Sequence, residues 1–374
     1  MIAPVLESEV IVIGAGVVGL AVAAELARGG REVTVLEREG GIGRGTSSRN
    51  SGVMHGGLYY PPKSLKAATC VEGRELSYAR ASKWGVAHRK TGKLIVAVSE
   101  DEVPSLEAIA RRAGEAGVHL EHLDGAQLRK RDPALSGVAA LYSPESGIID
   151  VHGLIESYRA EARQHGAEVV LHTRVVGIDP ANDGLVVATE NDRGEGEELR
   201  GRWVINAAGL DADHVAALAG LDIDALGYRL APSKGDYFVL SSEAPRPRTA
   251  LVYPVPAGPG LGVHLTIDLG GRCVAGPDAT FVEDRGSYGI DENKAVAFAE
   301  AVARYLPGVR REHLTPDYAG IRPRLAGPGM PFRDFVIEEA TPHGAPGLVN
   351  LLGIESPGLT AAPAIAMRVA ALIL

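Results

Sequence analysis

The clearest pattern of apolar and polar positions lies near the start of the chain. Two apolar runs, residues 10–13 and 33–36, flank a segment that opens with glycines at positions 14, 16 and 19. An apolar run that ends at glycine indicates a buried strand, and the stretch between the two runs is long enough for a helix. The pattern therefore predicts a strand, a tight turn, a helix and a second strand that ends at Glu37.

Similar patterns continue along the rest of the chain. Helices are predicted over residues 62–84, 102–116, 151–165 and 292–305. Strands are predicted over residues 93–98, 168–171, 184–189 and 199–205, with short strands and Pro/Gly turns from 228 to 275. The strands from 168 to 205 are expected to form a three-stranded antiparallel excursion that rejoins the main sheet at residues 203–205. A small-residue loop at 353–360 leads into a closing helix.

The order of these elements predicts two domains that alternate along the chain. The opening unit is typical of an α/β domain with a parallel sheet, whereas the strand-rich stretches suit a smaller domain with a mixed sheet. Residues 1–88, 150–226 and 318–374 are assigned to the first domain, and residues 89–149 and 227–317 to the second. Each domain is therefore expected to be discontinuous in sequence.

Composition narrows the possible partners and compartments. The formal net charge of −9 and the lack of a dense Lys/Arg run argue against a nucleic-acid surface. The two cysteines, Cys70 and Cys273, are too few for a disulfide framework or a metal cluster and suit a reducing cytoplasm. No stretch reaches the roughly 20 apolar residues that a membrane span needs. We therefore expect a soluble, cytoplasmic protein without a metal site, and peripheral contact with the inner membrane face is left open.

The glycines at the first turn carry the first chemical assignment. Gly14 permits a tight turn, Gly16 lets a pyrophosphate approach the backbone, and Gly19 allows close packing of helix on strand. Phosphates then meet free N–H groups at the start of the helix, where the helix dipole favours an anion. Glu37, about twenty residues further on, suits a ribose hydroxyl. The unit therefore predicts a site for the ADP half of a dinucleotide.

Three further segments bear on which dinucleotide binds. Residues 203–209 are predicted as a strand that ends in two alanines and a glycine, where a cofactor can approach the backbone closely. Residues 353–360 precede a helix, and their N–H groups suit the electron-rich edge of a flavin. Residues 45–52 supply hydroxyls and amides for a polyol and phosphates. A nicotinamide cofactor leaves the first two segments without an obvious role, so a flavin dinucleotide is favoured.

These segments, in this order, resemble the FAD-dependent amino acid and hydroxy acid oxidase superfamily of the D-amino acid oxidase type. Residues 48–67, which read SRNSGVMHGGLYYPPKSLKA, are similar to the L-2-hydroxyglutarate dehydrogenase/oxidase family within it, as are residues 262–266, 276–277 and 318–323. The resemblance covers nearly the whole chain. It implies a GR2-type α/β flavoprotein, in which a Rossmann-like FAD-binding domain is interleaved with a smaller α+β substrate domain that holds a mixed antiparallel sheet.

The glycine motif and the resemblance together imply a set of FAD-contacting residues. The set comprises Gly14, Gly16, Val17, Val18, Gly19, Glu37, Arg38, Thr46, Ser47, Arg49, Asn50, Ser51, Gly52, Val175, Ala207, Ala208, Gly209, Gly353, Glu355, Ser356, Pro357, Gly358, Leu359 and Thr360. Neither cysteine lies in the 353–360 loop. FAD is therefore expected to bind without a covalent link.

Two side chains are assigned to the chemistry that the resemblance implies. Oxidation of a 2-hydroxy acid moves a hydride from the substrate Cα to flavin N5 and removes a proton from the hydroxyl group. His55 is the expected base, because an imidazole titrates near ~6.5 and lies here in a glycine-flanked loop. Arg322 is the expected carboxylate clamp, because a guanidinium can form two parallel hydrogen bonds with a carboxylate.

A dicarboxylate substrate needs a second cationic or hydrogen-bonding group. The candidates are Tyr59, Lys234, His264 and Thr266. Each of them is also compatible with an ordinary role in a strand or turn, so the sequence does not choose among them.

The leading hypothesis is oxidation of a small anionic L-2-hydroxy acid, with L-2-hydroxyglutarate oxidised to 2-oxoglutarate. The electron acceptor is left open among a quinone, an electron-transfer protein and oxygen. The alternative reaction is oxidation of an amino acid or secondary amine of the glycine, sarcosine or D-amino acid type. A flavin-binding scaffold or redox sensor without turnover is a third possibility, against which the histidine and arginine loops argue.

Overall fold

The computed structural model describes residues 6–249, 251–256 and 260–374. The helices are α1 Val17–Arg28, α2 Leu65–Trp84, α3 Val103–Glu115, α4 Gly125–Arg131, α5 Val151–Gln164, α6 Ala212–Leu218, α7 Ala295–Ala303 and α8 Gly358–Leu372. The strands are β1 Leu6–Ile13, β2 Val33–Leu36, β3 Val53–Met54, β4 His88–Arg89, β5 Lys93–Ala97, β6 Glu121–Asp124, β7 Ala139–Ser143, β8 Gly147–Ile149, β9 Glu168–Val170, β10 Thr173–Ala181, β11 Gly184–Asn191, β12 Gly196–Asn206, β13 Ala231–Leu240, β14 Leu251–Pro254, β15 Leu265–Ile267, β16 Cys273–Ala275, β17 Thr280–Phe281, β18 Leu314–Arg324, β19 Val336–Glu339 and β20 Leu348–Leu352.

The first sheet is built around the buried strand β1. Val10, Ile11 and Val12 have no exposed surface, as expected for a strand that is covered on both faces. β1 pairs in parallel with β2 and with β12, β9 extends the sheet beyond β2, and β20 pairs in parallel with β12. The opening strand–turn–helix–strand prediction is confirmed by this arrangement.

The antiparallel excursion is also confirmed, with a different first strand. β11 pairs with both β10 and β12 in antiparallel fashion, and β12 then joins β1 through Trp203. Residues 168–170 do not begin the excursion, because they form β9 and pair with β2 in the main sheet. The first strand is β10, which the sequence analysis does not predict and which contains Pro180. Proline is tolerated there because β10 lies at the edge of the sheet.

Helices cover both faces of the first sheet. α1 packs against α5 and α8 in one apolar core, whereas α6 packs on the opposite face with β11 and β20. α8 also crosses α2 very closely, since a Cβ on Gly73 would lie 2.4 Å from the Thr360 carbonyl oxygen. This crossing places the start of α8 beside the loop that carries His55.

The second sheet is mixed and runs in the order β17-β13-β16-β15-β14-β5-β7-β6, with β18 paired to β13. Its described neighbours are antiparallel except for β14 and β5. One face packs against α7, and the other face carries Ile95, Leu251 and Tyr253 toward α3. A small sheet of β3, β8 and β4 lies between the segments of the chain that build the two large sheets.

The chain passes from the first sheet to the second and back more than once, in the order that the two-domain prediction requires. The individual domain boundaries stay predictions. Along the described part of the chain, no helix combines the length and the apolar character that a bilayer crossing demands.

Candidate active site

A cavity of about 1290 Å³ is lined by residues of both large sheets. Its wall includes Gly14 after β1, Glu37 after β2, Tyr253 on β14 and Arg322 on β18. Most small-molecule sites enclose roughly 300–1,000 Å³. The cavity is therefore large enough for an elongated cofactor together with a small substrate.

The glycine turn forms one end of this cavity. Gly14 has a φ of +104°, and a Cβ there would lie 2.7 Å from the Ala207 carbonyl oxygen. A Cβ on Gly19 would lie 2.0 Å from the Gly14 carbonyl oxygen, so β1 and α1 can pack this closely only with glycine. Gly16 lines the cavity, and its added Cβ would meet only the Ser47 hydroxyl, at 3.2 Å. The turn thus presents backbone rather than side chains to a ligand.

Glu37 and Ser47 are held in fixed positions at the same end. One carboxylate oxygen of Glu37 accepts a hydrogen bond from the Ala15 N–H at 2.8 Å, and the other accepts one from the Glu39 N–H at 2.9 Å. The Ser47 hydroxyl accepts a hydrogen bond from the Val17 N–H at 3.0 Å. A carboxylate and a hydroxyl fixed beside a bare glycine turn suit the ribose and phosphates of an adenine dinucleotide.

Most of the remaining residues in the predicted cofactor set also line the cavity. These are Val17, Val18, Arg38, Thr46, Arg49, Asn50, Ser51, Val175, Ala207, Ala208, Gly209, Glu355, Ser356, Pro357, Gly358 and Leu359. They come from the glycine turn, from the 46–51 segment, from the end of β12 and from the start of α8. The hydrogen-bonding side chains and the bare backbone of this set fit FAD.

Four members of that set lie behind the wall instead. Gly19 acts through packing, and Gly353 has a left-handed φ of +69° in its loop. The Gly52 N–H donates to the Asn50 side-chain oxygen at 2.8 Å. Thr360 is fully buried, and its hydroxyl accepts a hydrogen bond from the His55 N–H at 3.0 Å. These residues shape the wall from behind, and their direct contact with FAD stays a prediction.

His55 lines the cavity and is held from two sides. Besides the bond to Thr360, its Nε2 lies 3.1 Å from the Ser356 hydroxyl. Burial, together with nearby Lys93 and His264, holds the pKa of His55 well below its usual range. His55 is therefore neutral at physiological pH and can accept a proton.

Arg322 lines the cavity from β18. Its Nη2 donates to the Asp278 carbonyl oxygen at 3.1 Å, and a Cβ on Gly235 would lie 2.9 Å from the same nitrogen. Glycine at position 235 thus leaves room for the guanidinium. Arg322 and His264 both line the cavity, and the Arg322 charge adds to the effect of burial in lowering the pKa of His264. Arg324, which is not in the predicted site set, lines the cavity as well.

Of the four candidates for the second anion-binding group, two line the cavity and two do not. Tyr59 and His264 line the cavity, whereas Thr266 is buried behind it and its hydroxyl has no partner among the described residues. Lys234 lies outside the wall: its ammonium donates to the Gly289 carbonyl oxygen and lies 3.4 Å from an Asp236 carboxylate oxygen. Strand alternation turns Lys234 away from the cavity face that Gly235 shares with Arg322, and its contact with substrate stays a prediction.

The sequence analysis missed Lys93, which it treats only as the first residue of a strand. Lys93 is fully buried in β5, and its Nζ lies 3.9 Å from the centroid of the Tyr253 ring. The Tyr253 ring also stacks on the His264 ring, with centroids 3.8 Å apart. The available signal was a lysine at the head of the otherwise apolar run Leu94–Ala97.

The family profile described as "FAD dependent oxidoreductase" matches residues 9–372. The chain belongs to this family. It is thus an FAD-dependent oxidoreductase with the α/β fold that the sequence predicts, and FAD is its cofactor.

Individual relatives support the assignment to the FAD-dependent oxidoreductases. The mitochondrial L-2-hydroxyglutarate dehydrogenase of Arabidopsis thaliana is 41% identical, over 97% of this chain and 82% of the relative. The human protein of the same name is 29% identical, over 97% of this chain and 88% of the relative.

Solved structures show the same fold. L-α-glycerophosphate oxidase from Mycoplasma pneumoniae with FAD bound is 28% identical, with a TM-score of 0.89 over 98% of this chain and 94% of that chain. Glycine oxidase from Geobacillus kaustophilus, at 21% identity, superposes with a TM-score of 0.80 over 98% of this chain and 95% of that chain.

Proposed function

We propose that this FAD-dependent oxidoreductase converts a small L-2-hydroxy acid, L-2-hydroxyglutarate, to 2-oxoglutarate. The observation that carries the proposal is that His55 and Arg322 lie on the wall of the same cavity as the glycine turn. The name of the plant relative, which aligns with 97% of this chain, supports the choice of substrate.

Cofactor binding is divided along the cavity in this proposal. The glycine turn, Glu37 and Ser47 hold the ADP half, since they offer bare backbone, a fixed carboxylate and a hydroxyl. Residues 355–359 at the start of α8 face the flavin half. Bound FAD supplies a two-electron acceptor for the hydrogen that leaves the substrate Cα as hydride.

Arg322 binds and orients the carboxylate next to the reacting carbon. Its Nη2 is already engaged by the Asp278 carbonyl oxygen, which fixes the plane of the guanidinium and leaves other N–H groups for the substrate. A carboxylate held in this way limits the positions that the Cα–H bond can take. Selection of one enantiomer also requires the contact of the substrate hydroxyl with His55, because the carboxylate contact alone leaves rotation about the bond to Cα free.

His55 removes the proton of the substrate hydroxyl. Its low pKa keeps the ring neutral before substrate binds, and the bonds to Thr360 and Ser356 fix the loop and the ring. The substrate brings negative charge into the same cavity, which favours the protonated ring and makes His55 a stronger base in the complex. The imidazole therefore takes up the proton as the Cα is oxidised.

The His55→Ala variant tests the proposed function. We expect its turnover of L-2-hydroxyglutarate, measured with an artificial dye acceptor, to fall by about 10²-fold or more. FAD content is expected to stay at the wild-type level because the His55 side chain is not part of the ADP-binding turn. His152→Ala is the matched control, since this imidazole is exposed on α5 with only a 3.9 Å contact to Glu156.

Two results would contradict the proposal. Wild-type protein with full FAD that forms no 2-oxoglutarate from L-2-hydroxyglutarate would exclude the substrate. A His55→Ala variant that retains both its FAD and its turnover would exclude His55 as the base.

The proposal also covers the electron acceptor and the cellular location. The acceptor remains one of three classes: a quinone, an electron-transfer protein or oxygen. Reoxidation of the reduced enzyme by each class, followed separately, identifies it. We further propose a cytoplasmic location with or without peripheral membrane contact, which cell fractionation tests.

A further inference from the structure

The buried ammonium of Lys93 is the strongest unexplained feature next to the catalytic residues. Lys93 has no exposed surface, and its Nζ has no hydrogen-bond partner within the described ranges. A buried charge without a partner is costly, because water that would stabilise it has been removed. Such an arrangement suits a group whose partner arrives with a ligand.

The position of Lys93 places this charge directly behind the cavity wall. Its Nζ lies 3.9 Å from the centroid of the Tyr253 ring and 5.8 Å from that of the Tyr59 ring. Both tyrosines line the cavity. Since His264 stacks on Tyr253 at 3.8 Å, the ammonium and the imidazole must occupy opposite faces of that ring. The ammonium therefore lies one side chain away from the space that a substrate occupies.

The Tyr59 and Thr266 hydroxyls are also buried and have no hydrogen-bond partner in the part of the chain that the structure describes. Strand register places Thr266 opposite Leu251, while Val252, the next residue along β14, pairs with Leu94. Lys93 and Thr266 thus point to the same face of the second sheet, from the two strands that flank β14.

Two other cations of the cavity wall are paired with carboxylates. The Lys66 Nζ lies 2.8 Å from a Glu355 carboxylate oxygen, and the Arg285 Nη1 lies 2.6 Å from an Asp213 carboxylate oxygen. Lys93 differs from Lys66 and Arg285, because its ammonium lies over the rings of Tyr59 and Tyr253 and forms no ion pair with a carboxylate of the described residues. Its charge is therefore available to an incoming anion.

We propose that Lys93 is a specificity-determining residue that selects substrates with a second carboxylate, which the Tyr59 hydroxyl on the cavity wall helps to bind. The inference rests on the proposed function, in which Arg322 holds the first carboxylate. Attraction between opposite charges is stronger at such a site than in water, because Lys93 is fully buried. A monocarboxylate of the same length leaves Lys93 without a partner and gains nothing from it.

The effects of Lys93 on its neighbours agree with this position. Lys93 contributes to lowering the pKa values of both His55 and His264. The positive charge of Lys93 therefore disfavours protonation of both His55 and His264.

The test compares Lys93→Met holoenzyme with wild type on two substrates. L-2-hydroxyglutarate and L-2-hydroxypentanoate have the same number of carbons and differ in the second carboxylate. We expect kcat/KM for the dicarboxylate to fall by about 10–100-fold, through KM rather than kcat. For the monocarboxylate we expect a change of less than about threefold. Lys90→Met is the matched control, since this exposed lysine pairs with Glu145 at 2.7 Å.

Stability of the variant provides an internal check. The Lys93 ammonium has no hydrogen bond to lose, so the unfolding midpoint of Lys93→Met is expected to equal or exceed that of wild type. Lys93→Gln, which keeps a polar end without charge, gives a second measurement. If neither variant folds, Lys93 is a structural residue and the proposal is wrong.

Equal losses on both substrates would also overturn the proposal, because a packing role affects them alike. Failure of the proposed function can be distinguished from failure of the Lys93 assignment. For this purpose, the binding of two unreactive probes, glutarate and pentanoate, to the holoenzyme is measured by calorimetry. If wild type does not oxidise L-2-hydroxyglutarate but binds glutarate more tightly than Lys93→Met does, the Lys93 assignment stands alone. If the two proteins bind glutarate equally, the assignment is contradicted.

Discussion

At the scale of single residues, burial fixes the charge of the groups around Lys93. Among the groups that become negatively charged when they lose a proton, burial raises the pKa of the Cys70 thiol to about 12. It also raises the pKa values of the Tyr59 and Tyr253 hydroxyls above their usual range. These groups from α2, the His55 loop and β14 therefore stay neutral throughout the physiological range.

Burial also keeps the two histidines near Lys93 uncharged. Burial lowers the pKa of His264 to about 3 and that of His55 well below its usual value, so both rings are neutral near pH 7. Burial also lowers the pKa of Lys93, to about 7. Lys93 is thus the group of this set that changes charge near neutrality.

This difference predicts the pH dependence of substrate selection. Lys93 carries its positive charge below its pKa and loses it as the pH rises, so kcat/KM for L-2-hydroxyglutarate should decline through about pH 7. The value for L-2-hydroxypentanoate should not show this decline, and Lys93→Met should remove it for the dicarboxylate. Steady-state rates from pH 6 to 9 measure all three profiles. The same decline for both substrates in wild type would contradict the assignment.

Residue chemistry was predictable where it depends on local sequence. The glycine turn, Glu37, His55 and Arg322 come from motifs that can be identified without a fold. The choice between Lys234 and Lys93 could not be made in this way. Both lie in strands, and the cavity-facing side of a strand is known only once the order and register of the sheet are known.

At the scale of elements, the crossing of α2 and α8 connects the fold to His55. Gly73 lets α2 approach α8 so closely that an added Cβ would lie 2.4 Å from the Thr360 carbonyl oxygen and 2.8 Å from the Ala361 Cα. The Thr360 hydroxyl in turn accepts the bond from the His55 N–H. Helix spacing therefore sets the position of the loop that carries His55.

Gly73→Ala is expected to disturb this connection. The helices must move apart, which typically costs about 1–3 kcal/mol in an overpacked core, and Thr360 moves away from His55. We expect a lower thermal midpoint and a lower kcat, measured by unfolding of the holoenzyme and by dye-coupled turnover. Gly114→Ala is the matched control, because its Cβ would meet nothing within 4 Å on the exposed side of α3. Unchanged turnover in Gly73→Ala would show that the crossing does not position His55.

The sequence predicts helices and strands whose apolar residues recur with a clear period, and it does not predict elements that are short or lack such a period. The helix predicted over residues 62–84 is α2, which begins at Leu65 because the Ser64 side chain caps it by accepting from the Ala67 N–H. β10 was missed because Pro180 and its alternating exposed positions resemble a loop. The short helix α4 has too few residues for a periodic signal.

At the scale of the whole molecule, the cavity exists only because the two sheets face each other. The first sheet supplies the glycine turn and the ends of parallel strands, where ligands commonly bind. The second sheet supplies Arg322 from β18 and Lys93 from β5, and His264 comes directly before β15. Their proximity depends on pairings between distant parts of the chain, which no local pattern reveals. The sequence therefore predicts the cofactor half of the site more completely than the substrate half.

The proposed oxidation of L-2-hydroxyglutarate by FAD, with the substrate bound in this cavity, is tested by an anaerobic titration. The purified holoenzyme is titrated without oxygen while the absorbance of the oxidised flavin near ~450 nm is followed. Our account predicts that L-2-hydroxyglutarate bleaches this band and yields 2-oxoglutarate, whereas its D-isomer and L-glutamate, which carries an amine in place of the hydroxyl, do not. Bleaching by L-glutamate or another amine alone, or by no organic acid at all, would contradict it.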